Sequence, residues 1–365
     1  MHKLGISVYP DKSDLDEVYA YVKRASELGY TRIFTCFLSV DKQSRSEYFK
    51  VFKKFSQYCH ELGFELAVDT NPEIFAEIGA SPTNLQPLID LGVDIIRLDG
   101  DFSLQDNILI SRNQDNIKIE FNASMNAGLD NMIASGGNRD AIQVCHNFYP
   151  ERYTGLDLQL YQDLNDKWKD LNLVTAAFVS SNNDNTIGPW QVFCGLPSVE
   201  IHRGLPIDLQ ARHLISLGQL DDILIGNYPA TDEELVALSK VNWQYLEFKV
   251  DIAAGISDLE REILLDFFPH MDRPDYSSFM IRSSYPRVKY KGQPIPHRPI
   301  EKEYFEPGDI VIVNDNLAHY RGELQIVLDY IKNDGERNLV ATIPAEEMAL
   351  IEAFKPGHYF YFTEK

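Results

Sequence analysis

Cysteine is scarce and scattered, with Cys36, Cys59, Cys145 and Cys194 the only four in 365 residues and no Cys-x-x-Cys pair. That density excludes a disulfide scaffold and suits a reducing compartment. Long apolar runs are missing as well. No stretch approaches the ~18 consecutive apolar residues of a membrane span, and Asp11 interrupts any signal-length run near the start. The expectation is a cytoplasmic protein. Positive charge is also short, since 34 Lys and Arg face 55 Asp and Glu, a formal net charge of −21. A chain so acidic is a poor partner for nucleic acid, whose binding depends on Lys and Arg neutralising phosphates. There is no G-x-x-x-x-G-K-[ST], no G-x-G-x-x-G, no H-E-x-x-H and no histidine pair at ligand spacing, so nucleotide and zinc readings lose their usual support. A G-x-S-x-G nucleophile elbow is absent too. No cofactor, metal or membrane partner is expected. Carboxylates and amides are what remain for chemistry.

What is present is a repeat. Eight short apolar segments recur along the first 227 residues: 5–9, 32–36, 65–69, 95–99, 117–122, 141–146, 174–179 and 223–227. Helix-like stretches such as Leu15 to Leu28 and Tyr48 to Leu62 lie between most of them. A β-then-α unit repeated eight times is the footprint of an α/β fold of the (β/α)8, or TIM-barrel, kind, whose chemistry sits at the C-terminal strand ends. With 44% hydrophobic and 24% charged residues the chain has an ordinary globular composition. The barrel pattern ends near residue 240, which leaves room for a second domain of roughly 120 residues. The boundaries expected are 1–242 for the barrel and 243–365 for the rest. From Trp243 the texture changes to short β segments (278–283, 310–314, 323–327, 339–343, 358–362) between Pro, Gly and Asp turns, which predicts a small β-barrel.

Strand alternation assigns each side chain a direction. In the fourth segment Ile95, Arg97 and Asp99 point inward; in the fifth, Lys118, Glu120 and Asn122; in the third, Glu65 and Asp69. Arg97 and Glu120 are therefore expected to pair inside the barrel, because an unpaired charge there is very costly. Asp69, Asp99 and Asn122, one pleat higher, face the mouth. Asp99 and Asp101, two apart around Gly100, are the most pointed catalytic candidates, since neighbouring carboxylates push their pKa values apart and leave one protonated. The alternative is that one of them caps the next helix. Glu200, in the long connection from Ser180 to Ile207, is a rival acid, or else a helix-flanking surface residue. Long loops in compact domains are often functional. His146, Asn147 and Tyr149 in His146-Asn147-Phe148-Tyr149-Pro150 form a plausible sugar-binding surface, although a lone His is as easily structural. Tyr9 is either a site residue or a loop anchor. Lys118 could form a Schiff base in an aldolase or lyase, but an internal ion pair fits its position better.

These motifs resemble one family. Gly5-Ile6-Ser7-Val8-Tyr9-Pro10, Thr35-Cys36-Phe37-Leu38, Arg97-Leu98-Asp99, Asn122-Ala123-Ser124, His146 to Pro150 with Thr154-Gly155-Leu156, Gly195-Leu196-Pro197 with Glu200 and His202-Arg203, and Tyr320 to Gln325 are together similar to the bacterial 6-phospho-N-acetylmuramidases. The resemblance runs through both domains. It implies a glycosidase-type TIM barrel followed by a cyclophilin-like β-barrel. It also implies hydrolysis of the β-1,4 bond between 6-phospho-N-acetylmuramic acid and N-acetylglucosamine, a step of peptidoglycan recycling. Such a substrate, a phosphorylated amino-sugar disaccharide, carries a phosphate and a lactyl carboxylate, so an acidic protein needs local positive charge. Arg203 is one source, with His202 and Asn227 as further substrate contacts. The acid-free stretch from Tyr276 to Ile300, holding Arg282, Arg287, Lys289, Lys291 and Arg298, is another, with Arg282 the best phosphate ligand. The alternative is a solvated hairpin that balances nearby acids. Backbone amides of the Ser180-Ser181 or Gly226-Asn227 turns could help, because late strand loops of barrels often bind phosphate. A non-catalytic sugar-phosphate sensor is the remaining reading.

Overall fold

In the computed structural model, which describes residues 2–100, 102–191, 194–354 and 357–365, the first part of the chain closes into an eight-stranded parallel barrel. Its strands are β1 (Lys3–Ser7), β2 (Arg32–Cys36), β3 (Glu65–Thr70), β4 (Ile95–Leu98), β5 (Lys118–Asn122), β6 (Ile142–Cys145), β7 (Val174–Val179) and β8 (Asp222–Ile225). β8 returns to pair with β1, with Gly5 opposite Leu224. The close approach there needs a glycine, since a Cβ on Gly5 would lie 2.8 Å from the Leu224 side chain and 2.9 Å from the Arg32 carbonyl.

The intervening helices follow from sequence signals. In Leu15–Glu27 the Asp14 carboxylate caps the first turn by accepting from the amides of Asp16 and Glu17, while Val18, Val22 and Ala25 form the buried stripe. Arg45–Glu61 buries Tyr48, Phe52, Phe55 and Cys59 at the same helical spacing. No helix among the described residues is long and apolar enough to cross a membrane.

Register decides what the barrel encloses. Asp69 on β3 lies beside Arg97 on β4, which lies beside Glu120 on β5. Arg32 on β2 points into the same interior, where it is 1% exposed. An aromatic cluster packs in the same interior. Phe34 of β2 and Phe178 of β7 meet at 5.4 Å between ring centroids, and Phe148, from the loop after β6, packs on both at 5.9 and 5.0 Å. Edge-to-face contacts of this kind add about 0.5–1.5 kcal/mol each to the burial of the rings. A loop residue is thereby anchored in the barrel axis, which fixes where that loop leaves the mouth.

The chain divides into two compact units, residues 1–214 with 218–241, and residues 242–365 with 215–217. The second holds a nearly closed seven-stranded sheet in the order β10-β17-β9-β16-β13-β14-β11, plus the small pair β12-β15. These strands are β9 (Leu246–Ile252), β10 (His270–Met271), β11 (Met280–Ser283), β12 (Tyr304–Phe305), β13 (Asp309–Val313), β14 (Leu324–Val327), β15 (Ile331–Lys332), β16 (Arg337–Thr342) and β17 (Tyr359–Glu364). β9 was not among the expected strands, yet it lies inside the sheet, between β17 and β16. It alternates as a strand should, with Leu246, Phe248 and Val250 inward, but its start so close to the end of the barrel hid it in the boundary.

Candidate active site

The charged layer is a chain of alternating signs. Arg32 binds Glu120 through one nitrogen and Asp222 through the other at 2.9 Å. Glu120 also accepts from the Gln143 amide at 2.8 Å and lies 3.5 Å from Arg97. Burial pushes the Glu120 carboxyl up, but Arg32, Arg97 and Gln143 together hold it below its ordinary value. The expected Arg97–Glu120 pair is therefore present, while the closer partner, Arg32, was missed. A signal existed, since an Arg in the first position of an otherwise apolar strand needs a buried acid.

Arg97 reaches upward as well as across. Its Nε lies 3.5 Å from Asp69, its Nη1 donates to the Cys145 carbonyl at 3.0 Å, and its Nη2 donates to the Asn147 side-chain oxygen. One guanidinium thus ties the ends of β3 and β6 to the interior. Asp69 is the outcome of most interest. Burial raises its pKa; Arg97 pulls it down, Asp99 and Glu120 push it up again, and it settles at about 7. Its Oδ1 has no hydrogen-bond partner. That Oδ1 is buried and faces Arg97 Nε, and Oδ2 accepts from Cys36 Sγ at 3.8 Å; a carboxyl that is half-protonated near neutrality is equipped to give or take a proton.

Asp99 follows β4 directly. Its amide donates to the Thr70 carbonyl at 2.8 Å, which sets it beside the end of β3, and its side chain is exposed. It does not cap the next helix; Ser103 does that, accepting from the Asp106 amide at 3.1 Å. Asp101 lies outside the described residues. Asn122, half-buried, accepts from the Ser124 amide at 2.8 Å. Ser124 in turn accepts from the Asn147 amide at 2.8 Å and lies 3.4 Å from His146 Nδ1. Asn122, His146 and Asn147 are thus brought together around Ser124, which the sequence motif contained but did not mark as a site residue.

Other expected residues are engaged elsewhere. Tyr9 is fully buried and its hydroxyl donates to the Gly226 carbonyl at 2.7 Å, tying β1 to β8, as a loop anchor would. His146 is buried against Tyr161 and bonded to Asn165, and burial lowers its pKa to about 4, so it is neutral. His202 is buried with its Nε2 2.8 Å from His213 Nδ1; burial, and then His213, hold it well below the usual histidine range. Asn227 is consumed by Ser181, accepting its amide at 2.8 Å and donating to its carbonyl at 2.9 Å. The amides of the Ser180-Ser181 turn go to Gln210 and Asn227, and that of Gly226 to Val179. Those three amides are not open to a phosphate. Tyr149 remains half-buried, with its carbonyl held by Arg203 at 3.0 Å.

Glu200 and Arg203 form a clamp. Arg203 donates to both Glu200 oxygens, at 2.8 and 2.7 Å, and to the carbonyls of Cys194, Tyr149 and Glu151. Glu200 also accepts the amides of Tyr153 and Gly155, each at 2.8 Å. The Arg203 bonds lead the causes that lower its pKa to about 2. A carboxylate held ionised in this way is a poor proton donor at neutral pH, and a guanidinium with every arm engaged is a poor phosphate ligand.

Lys118 does not point into the barrel as expected. It opens β5 at the end away from the mouth, where its long stem carries the ammonium out to the Asp140 carbonyl at 2.7 Å. The basic stretch of the second unit is matched by acids from outside it. Arg282 lies 3.5 Å from Asp275 and donates to its carbonyl at 2.7 Å; Arg287 faces Glu323 at 3.7 Å and Arg298 faces Glu260 at 3.4 Å. This pairing favours the balancing hairpin. Among the described residues, no group of three His, Cys, Asp or Glu is arranged to hold a metal ion.

Comparison with known proteins sets this site in a family. Two family models match, one described as 6-phospho-N-acetylmuramidase, N-terminal, over residues 4–240, and one as its C-terminal counterpart over residues 246–363. The chain belongs to the 6-phospho-N-acetylmuramidase family. The solved structure of an uncharacterized B. cereus protein is 35% identical, covers 100% of this chain and 99% of its own, and superposes with a TM-score of 0.90. A conserved Enterococcus faecalis protein of unknown function, 24% identical, covers 100% and 96% with a TM-score of 0.72, a likeness of fold alone. No curated protein matches the chain. Members of the 6-phospho-N-acetylmuramidase family are named for a glycosidase activity on a phosphorylated muramyl sugar, and carboxylates at a barrel mouth are the equipment such an activity uses.

Proposed function

We propose that this protein hydrolyses the β-1,4-glycosidic bond of 6-phospho-N-acetylmuramyl-N-acetylglucosamine, with Asp69 as proton donor and Asp99 as the second carboxylate. The observation that carries this reading is Asp69, half-buried at the end of β3 with a pKa of about 7, next to the exposed Asp99 on the adjoining strand end. Two carboxyl groups in unlike environments are what acid-assisted glycoside cleavage requires. The family membership supplies the substrate class.

The 2-acetamido group of the muramyl sugar allows a substrate-assisted route. Asp69 gives its proton to the glycosidic oxygen as the C1–O bond breaks. The acetamido carbonyl oxygen attacks C1 and forms a cyclic intermediate, while Asp99 accepts the amide N–H and offsets the positive charge that develops. N-acetylglucosamine leaves, and the ionised Asp69 takes a proton from the water that opens the ring at C1. Each proton given is returned, so the enzyme is regenerated. Asn147, oriented by Arg97, and Asn122 bind sugar hydroxyls in this reading. Four free cysteines, three of them buried, fit a reducing compartment and a role in recycling imported cell-wall fragments.

The deciding assay incubates the protein with the phosphorylated and the dephosphorylated disaccharide and follows release of N-acetylglucosamine. Release from the phosphorylated compound, at a rate well above that from the other, is expected. No release from either overturns the proposal. Trapping of an adduct by borohydride would point instead to Schiff-base chemistry.

A further inference from the structure

An anionic substrate approaching this acidic barrel must find positive charge among the loops that follow the strands. Four cations are carried by those loops among the described residues: Lys12, Lys42, Arg152 and Arg203. Lys12 donates to the carbonyls of Gly188 and Pro189, and Lys42 pairs with Glu73 at 2.7 Å. Arg203 is spent in the clamp. Arg152 is left, exposed and with no acceptor for its guanidinium among the described residues.

Arg152 lines a cleft of about 700 Å³ between the loops after β6 and β7, together with Tyr153, Ser181, Asn183, Asp184 and Ile201. That volume lies within the range of small-ligand sites. The cleft is joined to the mouth by one continuous loop. Arg97 and Ser124 hold its start at Asn147, Phe148 anchors it in the barrel axis, and Glu200 takes the amides of Tyr153 and Gly155. The clamp fits too closely for any side chain at Gly155, where a Cβ would lie 2.6 Å from the Glu200 carboxylate. Tyr153 is held with φ +69°, and the residue is 88% exposed. A bulky residue rarely adopts that backbone conformation, so its persistence reflects the hold of Glu200. The clamp thus presents an unpaired guanidinium and an open aromatic face on a rigid stretch of backbone, over a floor whose own charges cancel. A guanidinium can grip a phosphate through two parallel hydrogen bonds. The aromatic face suits a sugar ring, and Asp184 can accept sugar hydroxyls.

We infer that this cleft is the phosphate subsite of the substrate, with Arg152 as the residue that selects phosphorylated sugar. The inference rests on the proposed phospho-glycosidase reading for the chemical class of its ligand.

The test pairs binding with turnover. Binding of N-acetylglucosamine 6-phosphate and of N-acetylglucosamine is measured by calorimetry for the wild type, Arg152→Ala, Arg152→Lys and the distant surface control Lys240→Ala. KM and kcat are measured on both disaccharides. R152A is expected to weaken the phosphorylated sugar roughly 10- to 100-fold, the scale of a lost charged hydrogen-bond pair, and to leave the unphosphorylated one unchanged. R152K should recover part of the loss and K240A none of it. Retained phosphosugar binding in R152A, equal losses on both sugars, an equal effect from K240A, or a wild type indifferent to the phosphate overturns the subsite. If the wild type cleaves neither disaccharide while R152A still loses phosphosugar binding, the subsite stands and the hydrolase reading falls. If the phosphorylated disaccharide is cleaved with the same KM by R152A, the reverse holds.

Discussion

In the proposed reaction, replacing Asp69 by Asn removes the proton donor and a misplaced charge in one step, and the two effects have opposite signs. Loss of a general acid lowers turnover by at least ~100-fold. Stability should move the other way. An unperturbed aspartic acid titrates at 3.8, whereas Asp69 does so at about 7 in the folded protein. Because the fold binds this proton more tightly than the unfolded chain, its penalty is absent below about pH 4, grows between about 4 and 7, and is complete above. At ~1.36 kcal/mol per tenfold change, the whole interval is worth about 4 kcal/mol. Asn also deprives Arg97 of a partner at 3.5 Å, so about half of that is expected to survive, ~2 kcal/mol. For a barrel of this size that is a rise in Tm of roughly 4–8 °C at pH 8, shrinking to nothing near pH 4. Thermal melts across that range, beside turnover measurements, check both halves. A D69N protein that is less stable than wild type at pH 8 would mean that Asp69 is an ionised partner of Arg97, and would remove it as the acid.

Other consequences can be checked independently. If Asp69 is the acid, as proposed, wild-type kcat/KM should fall as pH rises through about 7, where Asp69 loses its proton; a flat profile from pH 6 to 8.5 contradicts this. Arg32→Met leaves Glu120 and Asp222 without their shared partner in the interior and should cost about 3–5 kcal/mol in denaturant unfolding, against little change if the layer is well hydrated. Glu200→Gln should lose about 1–3 kcal/mol at neutral pH and speed exchange of the Tyr153 and Gly155 amides. In the wild type this contribution is present above pH 4.5, the ordinary glutamate value, and is lost as pH falls toward about 2. Lys118→Ala should leave turnover unchanged, since the ammonium lies at the far end of β5; a large loss would revive the aldolase reading.

The barrel was legible because parallel strands buried on both faces leave apolar runs at regular spacing, and polar residues stop each run at the mouth. Alternation placed Asp69, Arg97 and Glu120 inward, but Asp69, expected one pleat above the other two, shares their row of the register. Ends slipped by a residue or two: the segment expected to begin at Gly5 forms Lys3–Ser7, which carries Tyr9 past the strand into its anchoring role. Alternation fails at strand tips, as Lys118 shows. There the side chain answers to stem length and nearby carbonyls more than to the pleat. Pairings across long sequence distance were the least readable. Glu200 looked like a free acid because nothing in the chain near it announces that Tyr153 and Gly155, some 45 residues earlier, donate to it. The basic stretch likewise looked unbalanced because its acids lie at positions 260, 275 and 323.

The run Asp222–Arg32–Glu120–Arg97–Asp69 means that the acidity of the mouth is adjustable from the stem of the barrel. No sugar needs to touch Asp222 or Gln143, yet each decides how much of Arg32 or Glu120 is left for the next member. Losing the Gln143 amide makes Glu120 lean harder on Arg97, which then has less hold on Asp69. In the proposed mechanism, a single exchange in this hidden column would retune the working pH with every residue that meets the substrate unchanged. Specificity and proton affinity can therefore drift separately in this fold, one along the loops and the other along the axis.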